Sequence, residues 1–163
     1  METNICAIHW KCLLAVGLLF GLQLPVLAQE KTADKTAQAS VPEIYLAAKH
    51  GNLRTLRKLI AEGKDVNAVN SSGRSALMSA VFYRNRGIVR ELLVEGANVN
   101  GVDGQGRSAL MIAVLMKDMA MIELLLAAGA DVKIEDKAKV TAMSLAERSK
   151  DKKLIKILKE SAG

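Results

Sequence analysis

The hexapeptide Gly-Arg-Ser-Ala-Leu-Met stands at 73–78 and again at 106–111, 33 residues further on. This spacing constrains the fold more than any other feature of the chain. The same interval separates Gly63, Gly96 and Gly129, and also Ala47, Ala80, Ala113 and Ala146. Segments 65–70 (DVNAVN), 98–103 (NVNGVD) and 131–136 (DVKIED) fall in one register, and 92–100 (LLVEGANVN) matches 125–133 (LLAAGADVK). A fixed period of roughly 20–50 residues implies supersecondary units that cannot bury their apolar faces alone and must stack.

The residues inside a unit predict two helices. Ser75, Ser108 and Thr141 each precede an apolar run, where a hydroxyl accepts a hydrogen bond from one of a helix's first free N–H groups. Ala76, Leu77, Ala80 and Val81 then recur at helical spacing. Ile88, Val89, Leu92 and Leu93 predict the buried stripe of a second helix, ended by Gly96 in a left-handed conformation. The alanines at 47, 80, 113 and 146 let neighbouring helices approach closely. Half of the 163 residues are hydrophobic but only 3% are aromatic, so the core is built from Leu, Ile, Val, Ala and Met. Terminal units should be more polar outside. Lys58 accordingly replaces Glu91 and Leu124, and Lys159 replaces Leu93 and Leu126.

These motifs resemble ankyrin repeats, most closely in Met121–Lys133 (MIELLLAAGADVK). The resemblance covers residues 43–163 in about four units, 43–70, 71–103, 104–136 and 137–163. It implies an all-α ankyrin repeat solenoid of stacked helix-turn-helix units with hairpin-like tips. The family's Thr-Pro-Leu-His has become Ser-Ala-Leu-Met, and Thr-Ala-Met-Ser in the last unit. The proline that pre-sets the first turn is missing, and Met78 and Met111 replace the histidine with a flexible apolar filler. The glycine between the two helices survives only as Gly51. Arg84 and Lys117 take its place, followed by Asn85 and Asp118, which tolerate unusual backbone angles.

The resemblance also implies a binding face made of hairpin tips and the exposed ends of first helices. By position, the helices contribute Lys49, His50, Phe82, Tyr83, Leu115, Met116, Arg148 and Ser149. The tips contribute Ser71, Ser72, Arg74, Gly104, Gln105, Arg107, Lys137, Ala138 and Val140. Phe82, Tyr83, Leu115 and Met116 are expected to form one apolar patch, with Arg74 and Arg107 flanking it at matching places. The expected ligand is a protein, and the net charge of +6 favours an acidic surface on it.

The first 28 residues differ from the rest. Lys11 precedes an apolar run that ends at Val26-Leu27-Ala28, the layout of a secretory signal peptide cleaved after Ala28. The alternative is an uncleaved membrane anchor, but the clean apolar core, 13–22, is shorter than the ~20 residues a span needs. Residues 29–42 read as a polar flexible linker, with a short helix as the open alternative. Cleavage would remove Cys6, Cys12, Trp10 and His9, leaving no cysteine and one histidine, His50. Such a chain has no disulfide and depends on packing alone. The expected product is an exported monomer, periplasmic first and extracellular second, without a membrane span after cleavage.

Catalytic motifs fail on inspection. A nucleophile elbow needs Gly-x-Ser-x-Gly, but Leu77 and Leu110 occupy the last place. Residues 104–109 (GQGRSA) fit a dinucleotide fingerprint formally, yet the strand–helix–strand setting is missing. One histidine and no cysteine exclude zinc-type clusters, and Asp131, Glu135 and Asp136 fit no calcium loop. No cofactor and no metal are expected. Lys150, Lys152, Lys153, Lys156 and Lys159 form a basic stripe, but no aromatic residues interleave with them as in a nucleic-acid surface. They read as the solvated side of an end cap whose other face is Leu154, Ile155, Ile157 and Leu158. The expected function is therefore a non-catalytic protein-binding module. It looks similar to small exported bacterial ankyrin proteins that neutralise a toxin or support a partner enzyme. An effector acting on a host protein is the nearest alternative; the alternatives of another class are a nucleotide-binding or enzymatic protein, and a membrane-tethered structural protein if residues 1–28 stay attached.

Overall fold

Side-chain hydroxyls start three of the four first helices. Ser75 accepts from the Met78 N–H at 3.2 Å, Ser108 from Met111 at 3.3 Å and Thr141 from Ser144 at 3.1 Å. Thr141 adds a reciprocal bond, its own N–H donating to the Ser144 hydroxyl at 2.9 Å. The computed structural model describes residues 41–161. The expected leader (1–28) and all but the last two residues of the expected linker (29–42) lie outside the described residues. The helices are α1 (Glu43–His50), α2 (Leu53–Ala61), α3 (Ala76–Phe82), α4 (Arg86–Val94), α5 (Ala109–Leu115), α6 (Met119–Ala127), α7 (Ala142–Ser149) and α8 (Lys152–Ser161).

Each consecutive pair forms a unit, and the units stack in chain order. First helix packs on first helix, α1 on α3, α3 on α5 and α5 on α7, while α2 meets α4 and α6 meets α8. Ala80, Ala113 and Ala146 are fully enclosed, as a close helix approach requires. Leu77, Met78, Leu110, Met111, Ile122 and Leu125 fill the space between units. Full burial of each is worth about 1.5–3 kcal/mol, which is where a disulfide-free array gains its stability. The α4 stripe is narrower than expected. Ile88, Val89 and Leu92 are buried, but Leu93 is only half-buried on the outer edge. Lys58 and Lys159 are exposed on the terminal units, and Leu154 and Leu158 cover the last one from within. No helix among the described residues is long and apolar enough to cross a membrane.

The loops show why the repeated hexapeptide begins with glycine. Antiparallel bridges join Val69 to Ser75 and Val102 to Ser108, and Gly73 and Gly106 turn between them at φ 72° and 82°. Successive tips interlock, the Gly104 N–H donating to the Ser72 carbonyl at 2.8 Å and Lys137 to Gln105 at 3.0 Å. A Cβ on Gly73 would lie 2.9 Å from the Gly104 nitrogen, so the position excludes a side chain on space as well as on φ.

The inter-helix loops correct the expectation for Asn85 and Asp118, whose φ values are an ordinary −81° and −91°. The left-handed conformation falls on the preceding cations, Arg84 (58°), Lys117 (50°) and Lys150 (57°). The hydrogen bonds require this. Asn85 N–H closes α3 on the Ala80 carbonyl at 2.8 Å, and Asp118 N–H closes α5 on Ala113 at 3.2 Å. That closure needs the residue just before to turn left-handed. Asp118 then caps α6 by accepting from Met121 N–H at 3.2 Å.

Candidate interaction surface

Three of the four expected patch residues are open to solvent. Phe82 is 41% exposed, Tyr83 45% and Leu115 55%. They sit at the C-terminal ends of α3 and α5, which pack side by side. The Phe82 and Tyr83 rings meet edge to face, centroids 5.2 Å apart. A cation sits over each ring: Lys49 Nζ is 5.9 Å from the Tyr83 centroid, and the Arg74 guanidinium carbon 5.6 Å from that of Phe82. Met116 differs from the expectation. It is half-buried against the core, and its carbonyl accepts from the Arg84 guanidinium at 2.9 Å. It holds the C-cap of α5, as the exposed Tyr83 holds that of α3, so packing against the core and not its place in the helix withdraws it from the patch.

The register explains the layout. Lys49, Phe82, Leu115 and Arg148 hold one position in four successive units, and His50, Tyr83, Met116 and Ser149 hold the next. Apolar side chains occupy the middle two units and polar ones the outer two. His50 and Arg148 are exposed at their places but take no part in the ring contacts.

The two hexapeptide arginines match in sequence and differ in structure. Arg107 Nε and Nη2 both donate to Asp103 Oδ2, at 3.0 and 2.8 Å. The Asp103 side chain is 2% exposed. Burial pushes its carboxyl pKa up, but hydrogen bonds from the Arg107 guanidinium and from the backbone N–H groups of Arg107 and Gln105, with the guanidinium charge, pull it below the ordinary aspartate value. In the preceding unit Asn70 replaces this carboxylate. Asn70 Oδ1 accepts from the Arg74 and Ser72 N–H groups, both at 3.0 Å. Its second side-chain atom is an amide nitrogen, which offers Arg74 no acceptor. Arg74 Nε is buried without a hydrogen-bond partner among the described residues. A hollow of about 510 Å³ opens between the two tips, with Ser72, Arg74, Gly104 and Arg107 in its wall.

A family model for ankyrin repeats, in three copies, matches residues 44–136. The chain belongs to the ankyrin repeat family. No curated protein matches it. The match spans α1 to α6, and α7–α8 continue the ankyrin stack by packing on α5 and α6. As an ankyrin array, the chain is a protein–protein interaction module. Ser75 and Ser108 serve it as helix caps. Asp131 and Asp136 direct their carboxylates at their own turns, accepting from Lys133 N–H at 2.7 Å and from Ala138 and Val140 N–H at 2.8 and 2.9 Å.

Two features of this surface were not anticipated from sequence. The first is the inequality of Arg74 and Arg107, whose signal was the change from Asn70 to Asp103 at the end of otherwise matching segments. The second is a shallow apolar hollow of about 430 Å³ on the outer helices, lined by Leu93, Val94, Leu124 and Ala127. Val94 in its wall is 82% exposed. The signal there was α6 itself (MAMIELLLA), whose one charge, Glu123, leaves apolar residues on every side.

Proposed function

We propose that this ankyrin array is an exported, non-catalytic binding module, acting in the periplasm on a protein partner such as a toxin or an enzyme. One observation carries the choice of face: Phe82, Tyr83 and Leu115 stand exposed together on adjacent first helices, and Lys49 and Arg74 border them with positive charge. Exposed aromatic and aliphatic side chains ringed by cations have the composition of a protein interface. Export rests on the leader-like residues 1–28, with cleavage after Ala28.

The mass of the protein isolated from its native source tests export, since cleavage leaves a chain beginning at Gln29. Crosslinking there, followed by identification of the captured protein, supplies the partner. The double variant Phe82→Ala with Leu115→Ala then tests the face. It should lose that partner while its melting temperature stays within about 3 °C of the parent, since exposed side chains contribute little to stability. A collapse of the melting temperature would place both residues in the core, and retained binding would move the interface elsewhere.

A further inference from the structure

Arg74 is the one hexapeptide arginine left without an acid. The backbone turns of the second and third tips are the same: Asn70 Oδ1 and Asp103 Oδ1 accept the equivalent N–H groups at 2.9–3.0 Å. Only the remaining side-chain atom differs. In the third unit it is the oxygen that takes both Arg107 donors. In the second it is an NH₂ group, and the Arg74 side chain makes no ion pair among the described residues. A buried guanidinium nitrogen without a partner is uncommon, because water or protein normally satisfies it. Arg74 is nevertheless held in place, its guanidinium lying over the Phe82 ring and beside the hollow between the tips. Asp103 also borders that hollow, but Arg107 already neutralises it.

We propose that Arg74 is a carboxylate-recognition site: an Asp or Glu side chain of the partner pairs with the guanidinium while a neighbouring apolar side chain of the same segment rests on Phe82 and Leu115. The inference rests on the binding face proposed above and names the chemistry of what binds there. A planar guanidinium forms two parallel hydrogen bonds with a carboxylate, as Arg57 displays by donating from Nε to Glu91 Oε1 at 2.6 Å and from Nη2 to Glu91 Oε2 at 3.0 Å. Arg107 has its acid already and contributes nothing to the partner. The binding is thus asymmetric, one arginine recognising the ligand and its repeat-equivalent bracing the tip.

The test is a titration of the ¹³C,¹⁵N-labelled chain with the peptide acetyl-Glu-Phe-Glu-Leu-amide, following the arginine Nε–H, Phe82 ring and Leu115 methyl resonances. Arg74→Lys and Arg107→Lys assign the two arginine signals. Saturable movement of the Arg74 and Phe82 signals is expected, with the Arg107 signal still. The Gln-for-Glu peptide should leave Arg74 unmoved, and inorganic phosphate, which pairs with a guanidinium but has no apolar side chain, should move Arg74 more weakly than the Glu peptide and leave Phe82 still. Asn70→Asp copies the third unit into the second, so it should occupy Arg74 internally and weaken the Glu peptide about fivefold or more, a loss of one charge-assisted pair. Unchanged affinity in Asn70→Asp overturns the proposal, as does an equal response of Arg74 to the Gln peptide or to phosphate. Movement at Phe82 and Leu115 with none at Arg74 overturns this proposal and leaves the binding face standing. No movement at either place removes both.

Discussion

The second and third units begin with the same hexapeptide, and the structure assigns its letters different tasks in each. In the third unit the arginine is tied to a buried aspartate, and the helix that follows buries Ile112. In the second the arginine lies against an exposed ring, and the residue equivalent to Ile112 is Ser79, fully enclosed with its hydroxyl unpartnered among the described residues. The third unit is thus satisfied internally, while the second holds unmet polar groups beside the most aromatic part of the surface. Unmet hydrogen-bonding capacity costs folding free energy, and of the two residues only Arg74 has a side chain that also reaches the surface hollow. Identical local sequence fixes the backbone of a repeat. Its neighbours decide whether a side chain serves the fold or a partner.

Making the third unit resemble the second should have the largest effect. Ile112 is 5% exposed in α5. Ile112→Ser removes its buried methyl groups and encloses a hydroxyl, and should cost about 3 kcal/mol. A lower denaturant midpoint at unchanged slope would show this. A loss under about 1 kcal/mol would mean that the space collapses or that the hydroxyl finds a partner, and the two units would then be less different than they look.

Asp103→Asn is the next largest. It keeps the oxygen that organises the turn and deletes the one that holds Arg107. Because Arg107 is about one-third exposed and can rehydrate, the expected loss is about 1.5 kcal/mol rather than that of a wholly buried pair. The pH dependence has a definite sign. The folded carboxyl of Asp103 titrates below its unfolded value, so the unfolded chain binds its proton more readily. The contribution is complete above the unfolded value, near pH ~4, and is lost as the pH falls through the lower folded value. Glu91, held below its ordinary value chiefly by its hydrogen bond to Arg57, works in the same direction in both proteins. Melting curves between pH 7 and about 2 should converge for parent and variant at the acid end. A constant gap across that range would show that the ion pair is not what the variant removed.

Much of this architecture was legible because it rests on local rules that repeat. The capping serines, the left-handed glycines and the apolar spacing each act within a few residues, and a 33-residue period made every signal visible more than once. The inter-helix loops were misjudged because glycine, asparagine and aspartate are the residues expected to turn left-handed. The helix-closing hydrogen bonds fix which position must do so, and here Arg84 and Lys117 occupy it. The candidate surface was legible only in part. Exposure of Phe82 and Leu115 followed from register, but the inward turn of Met116 depends on packing. The fate of each arginine depends on a residue four places earlier, outside the repeated hexapeptide.

Ser79→Ala should have the smallest effect, and its sign is what matters. Ser79 is completely enclosed within α3, and its hydroxyl has no hydrogen-bond partner among the described residues. Removing the oxygen takes away a desolvated polar group and leaves a void smaller than a methyl group, while alanine is the better helix former by about 0.5 kcal/mol. The variant should therefore gain about 1 kcal/mol, or about 3–5 °C in melting temperature for an array of this size. Ser108→Ala is the control from the third unit. That hydroxyl accepts from Met111 N–H at 3.3 Å as the cap of α5, so its loss should cost about 1 kcal/mol. Two buried serines thus respond in opposite directions, Ser108 holding a helix end and Ser79 burdening a helix middle. If Ser79→Ala destabilises as Ser108→Ala does, the enclosed hydroxyl is satisfied after all, and the contrast between a self-sufficient third unit and an unsatisfied second one narrows to Arg74 alone.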